Sequence, residues 1–311
     1  MPSDIFATLL APRLPASAVG IEKDSAAVVQ LDRAHGGFVI KRAASVALPD
    51  DLIRPSFDEQ NIANPADLKA TLADLLTSAG LLRQRKWSVS LPETATRTAI
   101  VSLEAANSKR EQEEMLEWKI ERTFGAPLPE LRVAREPLPP DGRNQKRYFV
   151  TAVRLPVLAE YESVFASLGW QAGLVLPRHI GEEQWLRNGH RGTGLLLTGH
   201  DEGFTAVLMR DNRPFIMRTV FCETQDCDDE IHRVMLFYRD RAGGETAPGS
   251  IDRLLVIGDQ LNRKRVAEIA QETLGVNLNP MDAADVGLMI PDRQISFDLI
   301  AAPAGLARMA W

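Results

Sequence analysis

The chain has 311 residues, 45% of them hydrophobic, and a formal net charge of −6. That length fits about two domains of ordinary size with ample material for packed cores, and the acidic balance argues against nucleic acid as the main partner, which would show a domain-scale basic excess. No run approaches the roughly 18 apolar residues of a membrane span, and Met1 to Phe6 lack the basic region and apolar core of a secretory signal, so a cytoplasmic protein is expected.

In chain order, residues 1–17 read as an N-terminal arm with prolines at 2, 12 and 15 and a short apolar face of Ile5, Phe6, Leu9 and Leu10. Ala18 to Leu31 predicts a strand pair around a polar turn, and His35-Gly-Gly37 turns the chain into a third extended segment, Phe38 to Leu48. Pro65 opens a helix over Ala66–Ala79 with Leu68, Leu72, Leu75 and Leu76 at helical spacing and Gly80 as its stop. Trp87 to Leu91 follows as a strand ending at Pro92.

Residues 93–170 have an order of their own. Thr96 to Leu103 reads as a strand, and Asn107 or Ser108 caps a charged helix from Lys109 to Phe124 whose stripe is Met115, Leu116, Ile120 and Phe124. Leu131–Leu138 and Arg147–Val153 make two strands, and Pro156 opens a helix carrying Leu158, Tyr161, Val164, Phe165 and Leu168. This is a compact α+β module inserted into a larger domain, because Gly173 to Leu176 resumes the earlier pattern.

The last third begins with a second hairpin, Gly194 to Met209, then a strand over Arg213–Val220 and a helix over Asp228–Arg241. Asp226, Asp228, Asp229 and Glu230 favour the positive end of that helix dipole. A flexible loop at Gly243-Gly244 to Gly249 precedes the strand Arg253–Ile257, the turn Gly258-Asp259-Gln260 and a helix over Arg263–Leu274. Cys222, Cys227 and His232 fall at intervals of five, wider than usual zinc spacing, and read as two half-buried thiols beside a helix start, with no metal site expected. His35, His179, His190 and His200 read as loop residues near glycines and turns.

The two hairpins, Ala18–Leu31 and Gly194–Met209, repeat one plan and point to an actin-like fold: α/β, ribonuclease H-like, in two lobes with the inserted module. Its expected divisions are a first lobe over 1–92, the module over 93–170, a return over 171–191, a second lobe over 192–285 and a final return over 286–311. In working ATPases of this fold such turns hold phosphates from both sides, using glycine for close backbone approach and a carboxylate for metal and water.

The order also resembles the PilM family of type IV pilus assembly proteins, relatives of the division protein FtsA, with a more distant likeness to the cytoplasmic part of the type II secretion L protein. The resemblance covers Val19 to about Leu306 and is carried by Gly20 to Val29, Ser88-Val-Ser-Leu-Pro92, Glu111 to Trp118, the Tyr161–Gly169 helix, Arg213 to Arg218 and Ala304 to Ala307. Against the family pattern, Glu22 stands for aspartate, Asp24 for a turn glycine, Val29 for lysine, Thr198-Gly199-His200 for Asp-x-Gly, and Gly258-Asp259 for Gly-Gly. The resemblance therefore implies a vestigial nucleotide site at Gly20, Glu22, Asp24, Ser25, Thr198, Gly199, Gly258 and Asp259, with no cofactor expected. As plain residues, the same turns also read as ordinary solvated connectors.

The resemblance further implies a scaffold at the inner face of the inner membrane that binds the cytoplasmic tail of a PilN-like bitopic protein in a groove between the main domain and the module. Such a tail binds as an extended peptide. Arg97, Ile100, Leu103, Leu116, Ile120 and Phe124 are its candidate groove, although helix positions at this spacing also pack inward. The alternative is a drifted Mg-ATP-binding ATPase with Glu22, Asp201 or Asp259 as replacement carboxylate; a third reading is self-association.

Overall fold

The computed structural model describes residues 14–104, 108–142, 144–187, 192–242 and 251–311. The expected apolar face of Ile5, Phe6, Leu9 and Leu10, and with it Asn107, His190 and the Gly243–Gly249 loop, lie outside the described residues.

Alternating apolar residues in the first ninety positions build most of a six-stranded sheet. It contains β1 (Ser17–Ile21), β2 (Ser25–Ala34), β3 (Gly37–Ala47), β4 (Lys86–Leu91), β8 (Gln171–Pro177) and β13 (Leu288–Met289), in the order β13-β3-β2-β1-β4-β8. β1 runs antiparallel to β2 and parallel to β4, which is parallel to β8. Helix α1 (Pro65–Ser78) starts where the Asn64 side chain accepts from the amides of Ala66 and Asp67, and its Leu68, Leu72, Leu75 and Leu76 are buried. Each such leucine contributes on the order of 2 kcal/mol by leaving water.

The second sheet comprises β9 (Thr193–His200), β10 (Gly203–Arg210), β11 (Arg213–Phe221) and β12 (Ile251–Ile257), in the order β11-β10-β9-β12. Helices α5 (Cys227–Ala242) and α6 (Arg263–Leu274) share one apolar cluster with it, through Ile231, Val234 and Met235 and through Val266 and Ile269. A third sheet, β5 (Arg97–Leu103), β6 (Leu131–Leu138) and β7 (Lys146–Arg154), has the order β5-β7-β6 and packs on helix α2 (Lys109–Phe124). Ser108 caps α2 by accepting from the Glu111 amide.

This third unit interrupts the first sheet between β4 and β8, but it is smaller than the sequence leads one to expect. Helix α3 (Leu155–Ser167), placed by sequence within the module, buries Val157, Leu158, Tyr161, Val164 and Phe165 in the core beneath the first sheet, beside α1. Its apolar stripe matches that larger surface.

Two helices that periodicity did not reveal join the lobes. Helix α4 (Arg178–Glu183) and helix α7 (Phe297–Arg308) cross where a Cβ on Gly305 would stand 1.8 Å from the Gly181 carbonyl oxygen, so only glycine permits the approach. Around them one apolar cluster unites Val29 and Leu31 of the first sheet with Leu196 and Leu255 of the second, through Trp185 and Ile300. The Trp185 indole donates to the Ala301 carbonyl at 2.8 Å. Among the described residues, no helix is long and apolar enough to cross a membrane.

Candidate functional site

The turn of the first hairpin faces the connector that follows β12, rather than the turn of the second hairpin. Gly20, Glu22, Asp24, Ser25, Gly258 and Asp259 converge on one cleft of about 280 Å³, joined by Arg178, Gln260 and Asp298. Thr198 and Gly199 do not line it. Thr198 is fully buried, and its hydroxyl donates to a Glu182 carboxylate oxygen.

The chain's own side chains engage charged and main-chain groups at and around the cleft. Lys23 in the first turn pairs with Asp201 in the second at 3.2 Å, bridging the hairpins. Gly258, at φ +110°, donates its amide to Asp298 at 3.2 Å, and Asp298 also pairs with Arg263 at 2.7 Å. A Cβ on either Gly199 or Gly258 would lie 3.0 Å from the Gln260 amide oxygen, so that side chain covers both glycines. Gly20 serves packing: its missing Cβ leaves room for the Pro303 ring, 3.1 Å from where it would stand.

Charge points the same way. Glu22, Asp24, Asp259 and Asp298 line the cleft with Arg178 as the cationic side chain among them. Arg178 is committed inward, to Glu182 at 2.7 Å and Glu22 at 3.5 Å. Burial pushes Glu22 up to about 8, with Arg178 opposing and Glu182, Glu93 and Asp24 reinforcing the rise. A carboxyl that keeps its proton at neutral pH is a poor magnesium ligand, because metal binding requires the deprotonated form. Glycines covered by a glutamine, an amide bonded to an internal aspartate and a ring of acids do not fit a magnesium triphosphate.

Behind the cleft lies a buried ionic cluster that sequence reading missed. His179, expected in a loop, is fully buried in α4, and its Nδ1 lies 2.7 Å from Glu93, which also accepts from the Thr205 hydroxyl at 3.0 Å. Burial raises the Glu93 carboxyl, but His179 outweighs it and holds the group down at about 2. Burial alone would depress His179, whereas Glu93 raises it. His200, also expected in a loop, ends β9 with 5% of its surface exposed, and burial depresses it. The i,i+4 pair of Arg178 and Glu182 is the signal that could have marked α4 as a helix.

A larger groove, about 860 Å³, opens where the module meets both lobes. Its walls are the 54–63 loop, β5, the end of α2, and Glu202, Thr219 and Phe221 of the second lobe. Asn61 pins the loop: its amide donates to the carbonyls of Ser56 and Glu59, and it accepts from the Tyr161 hydroxyl at 3.2 Å. Arg97 stacks 4.3 Å over the Phe57 ring and donates to Asp58 and to the Phe124 carbonyl.

Of the six candidate groove residues, Arg97 and Phe124 line this space. Leu103, Leu116 and Ile120 do not; they fill the module's own core, as an apolar helix stripe facing a small sheet must. Ile100 packs with Leu138, Phe149 and Ile180. β5 and β11 are both edge strands of their sheets and both contribute to the groove. Phe221 is 68% exposed there, and Glu59 and Glu202 have no ion pair among the described residues. Cys222 and Cys227 place their sulfurs 3.1 Å apart beside α5, and His232 turns away to Thr273.

No family model matches the chain, and no curated protein matches it by sequence. Its fold is similar to that of a chain in a PilM-PilN type IV pilus biogenesis complex, with a TM-score of 0.73 at 19% identity over 96% of this chain and 99% of that one. It is also similar to the cytoplasmic domain of EpsL, an inner-membrane component of the type II secretion system of Vibrio cholerae, with a TM-score of 0.45 at 14% identity over 85% and 96% of the two chains. A Bacteroides thetaiotaomicron protein with an actin-like ATPase fold aligns with a TM-score of 0.45 at 11% identity over 92% and 93%. The chain has an actin-like fold, and the resemblance to PilM proteins extends to three dimensions.

Proposed function

We propose that this protein is an actin-like scaffold of a type IV pilus or related secretion machine, held at the cytoplasmic face of the inner membrane by the tail of a PilN-like bitopic protein, without ATP hydrolysis. The observation that carries the reading is the 860 Å³ groove with one edge strand of the module and one of the second lobe in its walls. Edge strands offer unpaired main-chain groups, the means by which extended peptides are captured. Exposed Phe221 supplies an apolar anchor, and Glu59 and Glu202 favour a basic residue in the tail. The acidic cleft, with Gln260 over its glycines and the Gly258 amide bonded to Asp298, supports a binding role over a catalytic one.

The test is titration calorimetry of the purified chain with a peptide of the cytoplasmic tail of a PilN-like protein. Wild type binds, and Phe221→Asp weakens binding by about tenfold or more, because an exposed aromatic anchor is where such interfaces concentrate their energy. Equal binding by both proteins, or none by wild type, removes the groove assignment.

A further inference from the structure

A third cavity, about 620 Å³, lies on the far side of the first lobe, between the β2–β3 turn and the end of α7. Its charged side chains are all basic, Arg33, His35 and Arg308, and the acid group among its lining residues is the main-chain carboxylate of Trp311, the last residue of the sequence, which no ion pair engages among the described residues. Arg33 and His35 are exposed, and no ion pair engages Arg33 among the described residues. Arg308 is held rigid, donating to the main-chain carbonyls of Gln184 and, at 2.9 Å, Arg187, over the rings of Phe38 and Trp185 at 5.4 and 5.5 Å. Two carbonyls fix its geometry but leave its charge uncompensated. Burial depresses the guanidinium with no acid to offset it.

Beside the cations stands an aromatic wall. Phe38 and Trp311 have ring centroids 5.6 Å apart, and Trp311 is 49% exposed, leaving ring surface open to the cavity. We propose that this cavity binds a small anion carrying a planar ring, a nucleoside phosphate in chemical class, with the anionic group on Arg33, His35 and Arg308 and the ring on Trp311 and Phe38. Guanidinium groups recognise phosphate oxygens in a planar fork, and a base stacks on an indole regardless of its sequence identity. The volume lies within the roughly 300–1,000 Å³ common for small-molecule sites. The site is separate from the hairpin cleft and does not depend on the scaffold reading.

The test uses the full chain titrated in magnesium-free buffer with GMP, guanosine and inorganic phosphate, read by calorimetry and tryptophan fluorescence. GMP binds with Kd below about 1 mM, at least about tenfold more tightly than guanosine or phosphate. Arg33→Glu and Trp311→Ala, both at exposed positions, each weaken GMP by about tenfold or more. Asp24→Asn in the hairpin cleft leaves it unchanged. No GMP binding at millimolar concentration, equal binding of phosphate alone, or indifference to Arg33→Glu and Trp311→Ala overturns the assignment.

Discussion

Replacing Glu22 with glutamine separates a protonated, structural Glu22 from an ionised, ligand-binding one. Its carboxyl rises from 4.5 to about 8, chiefly through burial. Between those limits the folded protein holds a proton that the unfolded chain releases, so wild type loses stability as pH rises, and glutamine does not. The full shift corresponds to about 5 kcal/mol. The side chain keeps 22% of its surface open, so a gap nearer 2–3 kcal/mol is expected, of order one to two pH units' worth. Urea unfolding of both proteins from pH 5 to pH 9 measures it. Near pH 5, where Glu22 is neutral folded and mostly ionised when unfolded, the two lie within about 1 kcal/mol, and Glu22→Gln gains from there to about pH 8 and levels off above it. If Glu22→Gln is instead the less stable protein at pH 7 to 9, Glu22 is an ionised partner of Arg178 and the reasoning fails.

Arg178→Met leaves Glu182, which is fully buried, without its cation, and costs about 3–5 kcal/mol in urea unfolding at pH 7; a loss under about 1 kcal/mol would show that the cluster does not bind the lobes. Glu93→Gln removes a carboxyl held down at about 2 by His179. Its cost is therefore fully present above the unfolded value near 4.5 and fades as pH falls toward 2, an acid-limb difference visible in far-ultraviolet dichroism. Gly305→Ala drives a methyl into the Gly181 carbonyl, and thermal unfolding should show a loss of about 3 kcal/mol or more, or no folded protein.

Much of the fold is legible in the sequence because its elements carry their own periodicity. Leu68, Leu72, Leu75 and Leu76 mark α1, and the two polar turns mark the hairpins, whose tips touch through Lys23 and Asp201. Helix α4 is illegible for the opposite reason. Its residues Arg178-His-Ile-Gly-Glu-Glu183 read as a polar connector, yet all six are buried, because Glu93 and Arg187 neutralise the charges from outside the helix. The groove misled in a different way. Leu116 and Ile120 have the spacing of a core stripe and are core. The surface beside them is built by the 54–63 loop, which has no period and owes its shape to Asn61 and Glu160. Glu22 and Asp24 read as departures from the family's first phosphate turn, but only the structure reveals Asp298 and Gln260 in the niche, 40 residues and two residues beyond Gly258.

Thermal unfolding of the purified chain, alone, with Mg-ATP and with the tail peptide of a PilN-like protein, tests the central claim most directly. Ligand that binds only the folded state raises Tm by an amount that grows with the logarithm of its concentration over Kd. The account predicts stabilisation by the peptide and none by millimolar Mg-ATP in the Arg33→Glu background, where the basic cavity is disabled. Stabilisation of that variant by Mg-ATP, with no effect of the peptide, would contradict it and return the hairpin cleft to nucleotide chemistry.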